Sequence, residues 1–147
     1  KTLDEMLENY GLAEFADAHP SGLSGGMRQR AALIRTLILK PDLLLLDEPF
    51  SALDYQTRLT VCDDIATIIR KTKKTAILIT HDLAEAISTA DRVLVLSARP
   101  GQVKANIPLA FAPQYDSPLK RRNAPEFAGY FKHVWNELRE PDHKAFQ

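Results

Sequence analysis

Asp47 and Glu48 stand side by side after a run of four leucines, Leu43 to Leu46, and before Pro49. A carboxylate pair at the edge of an apolar run needs a cation, a hydrogen-bond network or a chemical task. One carboxylate could hold a divalent cation against a phosphate, and the next could orient and deprotonate an attacking water. The plainer alternative is a solvated strand end. Two further groups suit the same chemistry. Ser24-Gly25-Gly26 offers a hydroxyl and bare backbone N–H groups at a helix start, where a phosphate can come close; an ordinary capped loop has the same composition. His81-Asp82 follows a second apolar run, and a neutral imidazole there could hydrogen-bond a phosphate or the water attacking it; lone histidines more often serve structure.

These residues need elements to position them. Leu43 to Leu46, bounded by Pro41-Asp42 and Pro49, is too short to span a membrane and reads as a strand buried on both faces of a parallel sheet. Phe50 to Asp54 reads as a turn, and residues 55–71 as a helix with Leu59, Cys62, Ala66 and Ile69 on one face. Thr75 to Thr80 is a second buried strand. Strand, helix and strand make a right-handed βαβ unit, so the two strands are expected to run parallel with their carboxyl ends on one edge. Asp47, Glu48 and His81 would then share the edge where open α/β sheets bind ligands.

The remaining chain reads more simply. Leu3 to Ala18 carries helical spacing broken at Gly11. Ser24 is a good N-cap for a helix with Met27, Ala31, Ile34 and Ile38 on one face, and Pro41 should end it near Lys40. Leu83 to Thr89 reads as a short helix, and Arg92 to Leu96 as a third strand. Arg99-Pro100-Gly101-Gln102 suits a type II turn, after which Val103 to Leu109 would return antiparallel. Pro108, Pro113 and Pro118 mark an extended connector. Lys120-Arg121-Arg122 reads as solvated surface. Residues 126–140 form an amphipathic pattern with Phe127, Phe131, Val134 and Leu138 on one side, widened by Tyr130 and Trp135, before a frayed end.

Composition sets outer limits. At 147 residues and 45% hydrophobic, one domain with a core is the default. Nineteen basic residues balance nineteen acidic ones, which argues against a dedicated nucleic-acid binder. Cys62 is the single cysteine, so neither a disulfide framework nor a cysteine metal site is expected. The chain shows no signal-peptide pattern and no apolar run of spanning length, and a reducing, cytosolic setting is the expectation.

Taken in order, the motifs resemble those of the ATP-binding subunits of ABC transporters. Leu23-Ser24-Gly25-Gly26-Met27 is similar to the signature motif, Leu43 to Glu48 to Walker B with its glutamate, Ser51-Ala52-Leu53-Asp54 to the D-loop, and Thr80-His81-Asp82 to the switch-histidine loop. Met27-Arg28-Gln29-Arg30, Ser97 to Gly101 and Pro125-Glu126-Phe127 resemble the nitrate/sulfonate/taurine importer branch. Met27 and Gly22 depart from the commonest residues at their positions. No Gly-x-x-x-x-Gly-Lys-Ser/Thr occurs in the 147 residues, so the chain looks like the C-terminal part of such a subunit without Walker A.

The resemblance implies an α/β, P-loop NTPase-like core, incomplete, with parallel strands, crossover helices and part of the helical subdomain. Residues 1–40 would belong to that helical signature subdomain, 41–110 to the nucleotide-binding α/β core, and 111–147 to a C-terminal connector and helix. It implies ATP and Mg²⁺ as ligands, with Asp47 at the metal, Glu48 as base and His81 on the γ-phosphate. Leu23, Ser24, Gly25, Gly26 and Met27 would meet the ATP held by a second ATPase subunit in a head-to-tail dimer, and Asp54 would couple the two sites. Transmembrane permease subunits, and indirectly an extracytoplasmic binding protein, would be partners at the cytoplasmic side of the membrane. A non-transport ABC ATPase and a non-enzymatic interaction fragment are the competing readings.

Overall fold

The computed structural model describes residues 2–139. They fall into two compact units, one ending at Ile79 and the other beginning at Thr80.

The first unit starts with helix α1 (Leu3–Asn9), opened by a capping box in which Thr2 and Glu5 satisfy each other's backbone N–H groups. A 3₁₀ turn (Ala13–Phe15) and a second one (Pro20–Gly22) lead to α2 (Gly25–Leu37). Strand β1 (Leu43–Asp47), helix α3 (Tyr55–Thr72) and strand β2 (Thr75–Ile79) follow. β1 and β2 pair in parallel, with Leu43 opposite Thr75 and Asp47 opposite Ile79, as the apolar runs and their spacing led one to expect. The core is built by Leu44, Phe50, Ile34, Leu37, Val61 and Ile65 with their neighbours, and Cys62 is buried among them as a small apolar group.

The strand is not buried on both faces. Leu44 is 1% exposed, but Leu43 and Leu45 are 45% and 69% exposed, and Ile77 and Ile79 beside them are half-exposed. Successive strand residues point to opposite faces. Leu44 faces the core, whereas the opposite face carries no covering layer among the described residues. A four-leucine run reports a strand but cannot report how many layers lie over it.

The second unit holds α4 (Leu83–Thr89), the antiparallel pair β3 (Arg92–Leu96) and β4 (Val103–Pro108), the short helix α5 (Pro118–Arg121) and α6 (Phe127–Arg139). Its core gathers Ile87, Val93, Val95, Ile107 and Val134, with Phe127 and Tyr130 packed against it. The expected type II turn between β3 and β4 does not form. That turn needs positive φ at Gly101, and Gly11 is the one glycine in that region among the described residues. Instead the Arg99–Pro100 peptide is cis, and Ser97 closes the loop: its Oγ accepts from Gln102 N at 2.9 Å and donates toward the Pro100 carbonyl at 3.0 Å.

The basic run at 120–122 also differs from its reading as solvated surface. Lys120 is exposed, but Arg121 is 8% exposed. Its Nη1 donates to the Ala90 carbonyl at 2.8 Å and reaches the Ser88 carbonyl at 3.5 Å, and its guanidinium lies 4.9 Å from the Phe111 ring centre. It closes the C-terminal end of α4, where carbonyls lack helical partners. In α6, Val134 is buried while Phe131, Trp135 and Leu138 are between 38% and 47% exposed, so half of the expected apolar stripe faces out. Glu140 and the expected frayed end lie outside the described residues.

Candidate functional site

Ser24 marks the turn into α2. Its backbone is extended, and its Oγ accepts from Met27 N at 3.2 Å, satisfying one of the N–H groups that a helix start leaves without an intrahelical partner. Gly25 and Gly26 are the first helical residues. The Leu23 carbonyl accepts from Arg28 Nη1 at 2.6 Å, so this guanidinium folds back over the start of its own helix. A methyl carbon placed on Gly25 would lie 2.7 Å from Leu53 Cδ2, and one on Gly26 would lie 2.7 Å from Val61 Cγ2. Both glycines let α2 approach α3 and the turn before it more closely than any other residue could.

Asp54 caps α3, its Oδ1 accepting from Thr57 N at 3.1 Å. Hydrogen bonds from the Thr57 side chain first, and then from its backbone, hold the Asp54 carboxyl below the ordinary carboxylate value. The two helix starts face one another. Ser24, Gly25 and Arg28 on one side, and Leu53, Asp54 and Thr57 on the other, line an open cavity of about 280 Å³.

Asp47 ends β1 and is exposed. Glu48 follows at φ 46°, in the left-handed region. For a residue other than glycine such a conformation costs about 1–3 kcal/mol and persists only where the surroundings enforce it. Here the enforcement is visible. Glu48 N donates to the Ile79 carbonyl at 2.8 Å, and the Glu48 carbonyl accepts from Ser51 N at 3.4 Å and from Ser51 Oγ at 3.1 Å. Strain of this kind clusters at functional sites.

His81 belongs to the second unit and is exposed just before α4. The residues beside it are pinned. Asp82 N donates to Thr80 Oγ1 at 3.1 Å, and Asp82 Oδ1 accepts from Glu85 N at 3.0 Å.

Ser24, Gly25 and Asp54 therefore share a cavity, and the turn 48–54 connects that cavity to Asp47 and Glu48. Gly26 is buried against Val61, and Leu23 and Met27 brace the start of α2 through their backbones. The sequence motifs include Arg28 and Leu53 without assigning either a role at the site, and they leave out Thr57. Arg28 stands four residues after Ser24, one helical turn on, and Thr57 three residues after Asp54, the capping distance. Leu53 lies within the motif Ser51 to Asp54, but nothing in the sequence shows which side chain or backbone it packs against. Among the described residues no three acidic, histidine or cysteine side chains gather into a metal site. A cation bound through Asp47 would need its other ligands from phosphate and water, as Mg²⁺ commonly takes them.

A family model described as ABC transporter matches residues 1–51, which include Leu23 to Met27 and the Asp47-Glu48 pair. An uncharacterized ABC transporter ATP-binding protein of Bacillus subtilis, YtlC, is 44% identical over 135 residues, covering 90% of this chain. The aliphatic sulfonates import ATP-binding protein SsuB of Bacillus licheniformis is 39% identical over 148 residues, covering 100% of this chain. Over most of its own length the chain is thus similar to ABC transporter ATP-binding proteins. It spans about half the length of the curated relatives it matches, 51% of YtlC and 56% of SsuB. Among solved structures, one described as a metal-chelate type ABC transporter in an inward-facing conformation aligns with a TM-score of 0.53 at 26% identity, over 63% of this chain and 37% of that one. The fold is accordingly the α/β core of an ABC ATPase in part, with a parallel strand pair and its crossover helix. No helix among the described residues is long and apolar enough to cross a membrane.

Proposed function

We propose that this chain serves, within a complete subunit, to bind ATP with Mg²⁺ and hydrolyse it, energising an importer for a small anion such as a sulfonate. The observation that carries the reading is Glu48, held at φ 46° directly after Asp47 and tied to the end of β2. A carboxylate kept in a costly conformation at the carboxyl end of a parallel strand pair fits a group positioned for water. The sulfonate cargo rests on the similarity to SsuB alone.

In the hydrolysis proposed, water would bond to the γ-phosphorus of the ATP substrate as the bond to the bridging oxygen breaks and ADP leaves. Glu48 orients the attacking water and takes up its proton. Asp47 would supply a carboxylate oxygen to Mg²⁺, which would neutralise charge on the phosphates. His81 hydrogen-bonds the γ-phosphate or the water. Ser24, Gly25 and Gly26 present hydroxyl and N–H donors to the ATP of a second subunit packed head to tail, and Leu23 and Met27 hold that segment's shape. Asp54 couples the two sites. Permease subunits would be moved by closure of the pair at the cytoplasmic side of the membrane, with a substrate-binding protein delivering cargo from outside.

The test is Glu48→Gln in the complete subunit, assembled with its permease. ATP binding should survive, while hydrolysis and ATP-driven sulfonate uptake fall by about 10²–10⁴-fold, the range for general acid–base catalysis. Near-normal turnover would remove Glu48 from the role. Normal ATP turnover that no sulfonate stimulates would remove the cargo.

A further inference from the structure

We infer that Leu53 is a positioning residue that ties the seating of Gly25 to the placement of Glu48 within one subunit. This rests on the reading of Glu48 as the water-orienting group.

A methyl carbon on Gly25 would lie 2.7 Å from Leu53 Cδ2. Gly25 therefore sits directly against this side chain, as Gly26 sits against Val61, and a shift of Gly25 toward Leu53 must displace it. Leu53 is itself held at its backbone. Its N–H donates to the Phe50 carbonyl at 3.1 Å, and its carbonyl accepts from Arg58 Nη2 at 3.1 Å. Phe50 is 2% exposed and anchors the middle of the turn in the core. At the far end of the turn Ser51 bonds twice to the Glu48 carbonyl, through its N–H and its hydroxyl. From Leu53 to Glu48 the turn thus carries three hydrogen bonds of its own and one buried ring, that of Phe50.

Glu48 is the residue in that turn with most to lose from movement. Its φ of 46° is maintained by the Ser51 bonds on one side and by the Ile79 carbonyl on the other. A conformation this costly relaxes when its surroundings loosen. A ligand that seats or displaces Gly25 changes the pressure on Leu53, and the turn delivers that change to Glu48.

The test is a double-mutant cycle in the complete subunit with its partner, at a temperature well below every variant's Tm. Leu53→Ala should lower kcat by about tenfold, a size common for coupling between residues in contact, with the KM for ATP unchanged. Leu53→Met, which keeps the reach, should restore kcat. Gly25→Ala should lower kcat through its clash with Leu53, so Gly25→Ala with Leu53→Ala should turn over like Leu53→Ala alone. Losses that multiply would show that Gly25 acts on bound phosphate independently of Leu53, and would overturn the link. So would a Leu53→Ala variant with lowered Tm and unaltered kcat. If Glu48→Gln abolishes turnover while the losses multiply, the link alone fails; if Glu48→Gln retains turnover, the underlying reading fails with it.

Discussion

The backbone N–H of Glu48 donates to the carbonyl of Ile79 at 2.8 Å, one residue beyond the last pair of the β1–β2 ladder, Asp47 opposite Ile79. The ladder thus continues just far enough to catch Glu48, at φ 46°. Replacing Glu48 by glycine, which adopts this φ freely, should raise stability by about 1 kcal/mol. Denaturant midpoints of the wild type, Glu48→Gly and Glu48→Ala check this; equal stability of the glycine and alanine variants would show that the backbone there stores no strain.

Gly26 is buried with Val61 Cγ2 2.7 Å from where its Cβ would stand. Valine in a helix has one strongly preferred χ1 rotamer, so it cannot swing away. Gly26→Ala should destabilise by about 1–3 kcal/mol, the usual cost of overpacking. Val61→Ala should recover part of that loss in the double variant. A Gly26→Ala protein as stable as wild type would show that α2 and α3 can separate at no cost.

Asp54 has its folded pKa lowered from 3.8, first by the Thr57 side chain and then by its backbone. A depressed carboxylate contributes stability that is fully present above the unfolded value and is lost as pH falls through the lower folded value. The contribution should therefore be intact at neutral pH and fade only below 3.8. Thr57→Val removes the hydroxyl and should move the Asp54 titration upward, toward 3.8. Carbon-detected NMR titration of the Asp54 carboxyl reads this directly, and an unmoved titration would assign the lowering to another group.

Arg121 donates to the carbonyls of Ala90 and Ser88 from a nearly buried position. Arg121→Ala leaves those acceptors without their donor and removes packing against Phe111, and should cost about 2–4 kcal/mol. Lys120→Ala, one residue away and exposed, should cost less than about 0.5 kcal/mol. Urea denaturation of both variants settles the contrast.

The 147 residues contain no Gly-x-x-x-x-Gly-Lys-Ser/Thr, the loop whose N–H groups and lysine make most phosphate contacts in P-loop proteins. The chain by itself should bind ATP·Mg²⁺ weakly and turn it over negligibly. Its open leucine and isoleucine sheet face should promote self-association. Calorimetry, phosphate release and light scattering on the isolated chain check the three together; micromolar affinity with steady turnover in a monodisperse monomer would contradict them.

Much of this fold is legible in sequence because it is local. A run of apolar residues between prolines makes β1, Asp54 and Ser24 cap the helices that follow them, and the spacing of strand, helix and strand demands a parallel pair. Those signals depend on residues a few positions apart, so the chain's order carries them. Three features depended on partners distant in sequence. Leu43 and Leu45 face no covering layer among the described residues, although their run reads as doubly buried, because burial belongs to whatever packs opposite. Arg121 is in the core because the carbonyls at the end of α4, some thirty residues earlier, lacked donors. Gly25 and Gly26 look in sequence like freedom for a loop or room for a phosphate; the fold sets Leu53 and Val61 against them. Residue types thus determined which groups could do phosphate chemistry, whereas the packing of α2 on α3 alone decided that Gly25, Leu53 and Glu48 stand in one connected structure.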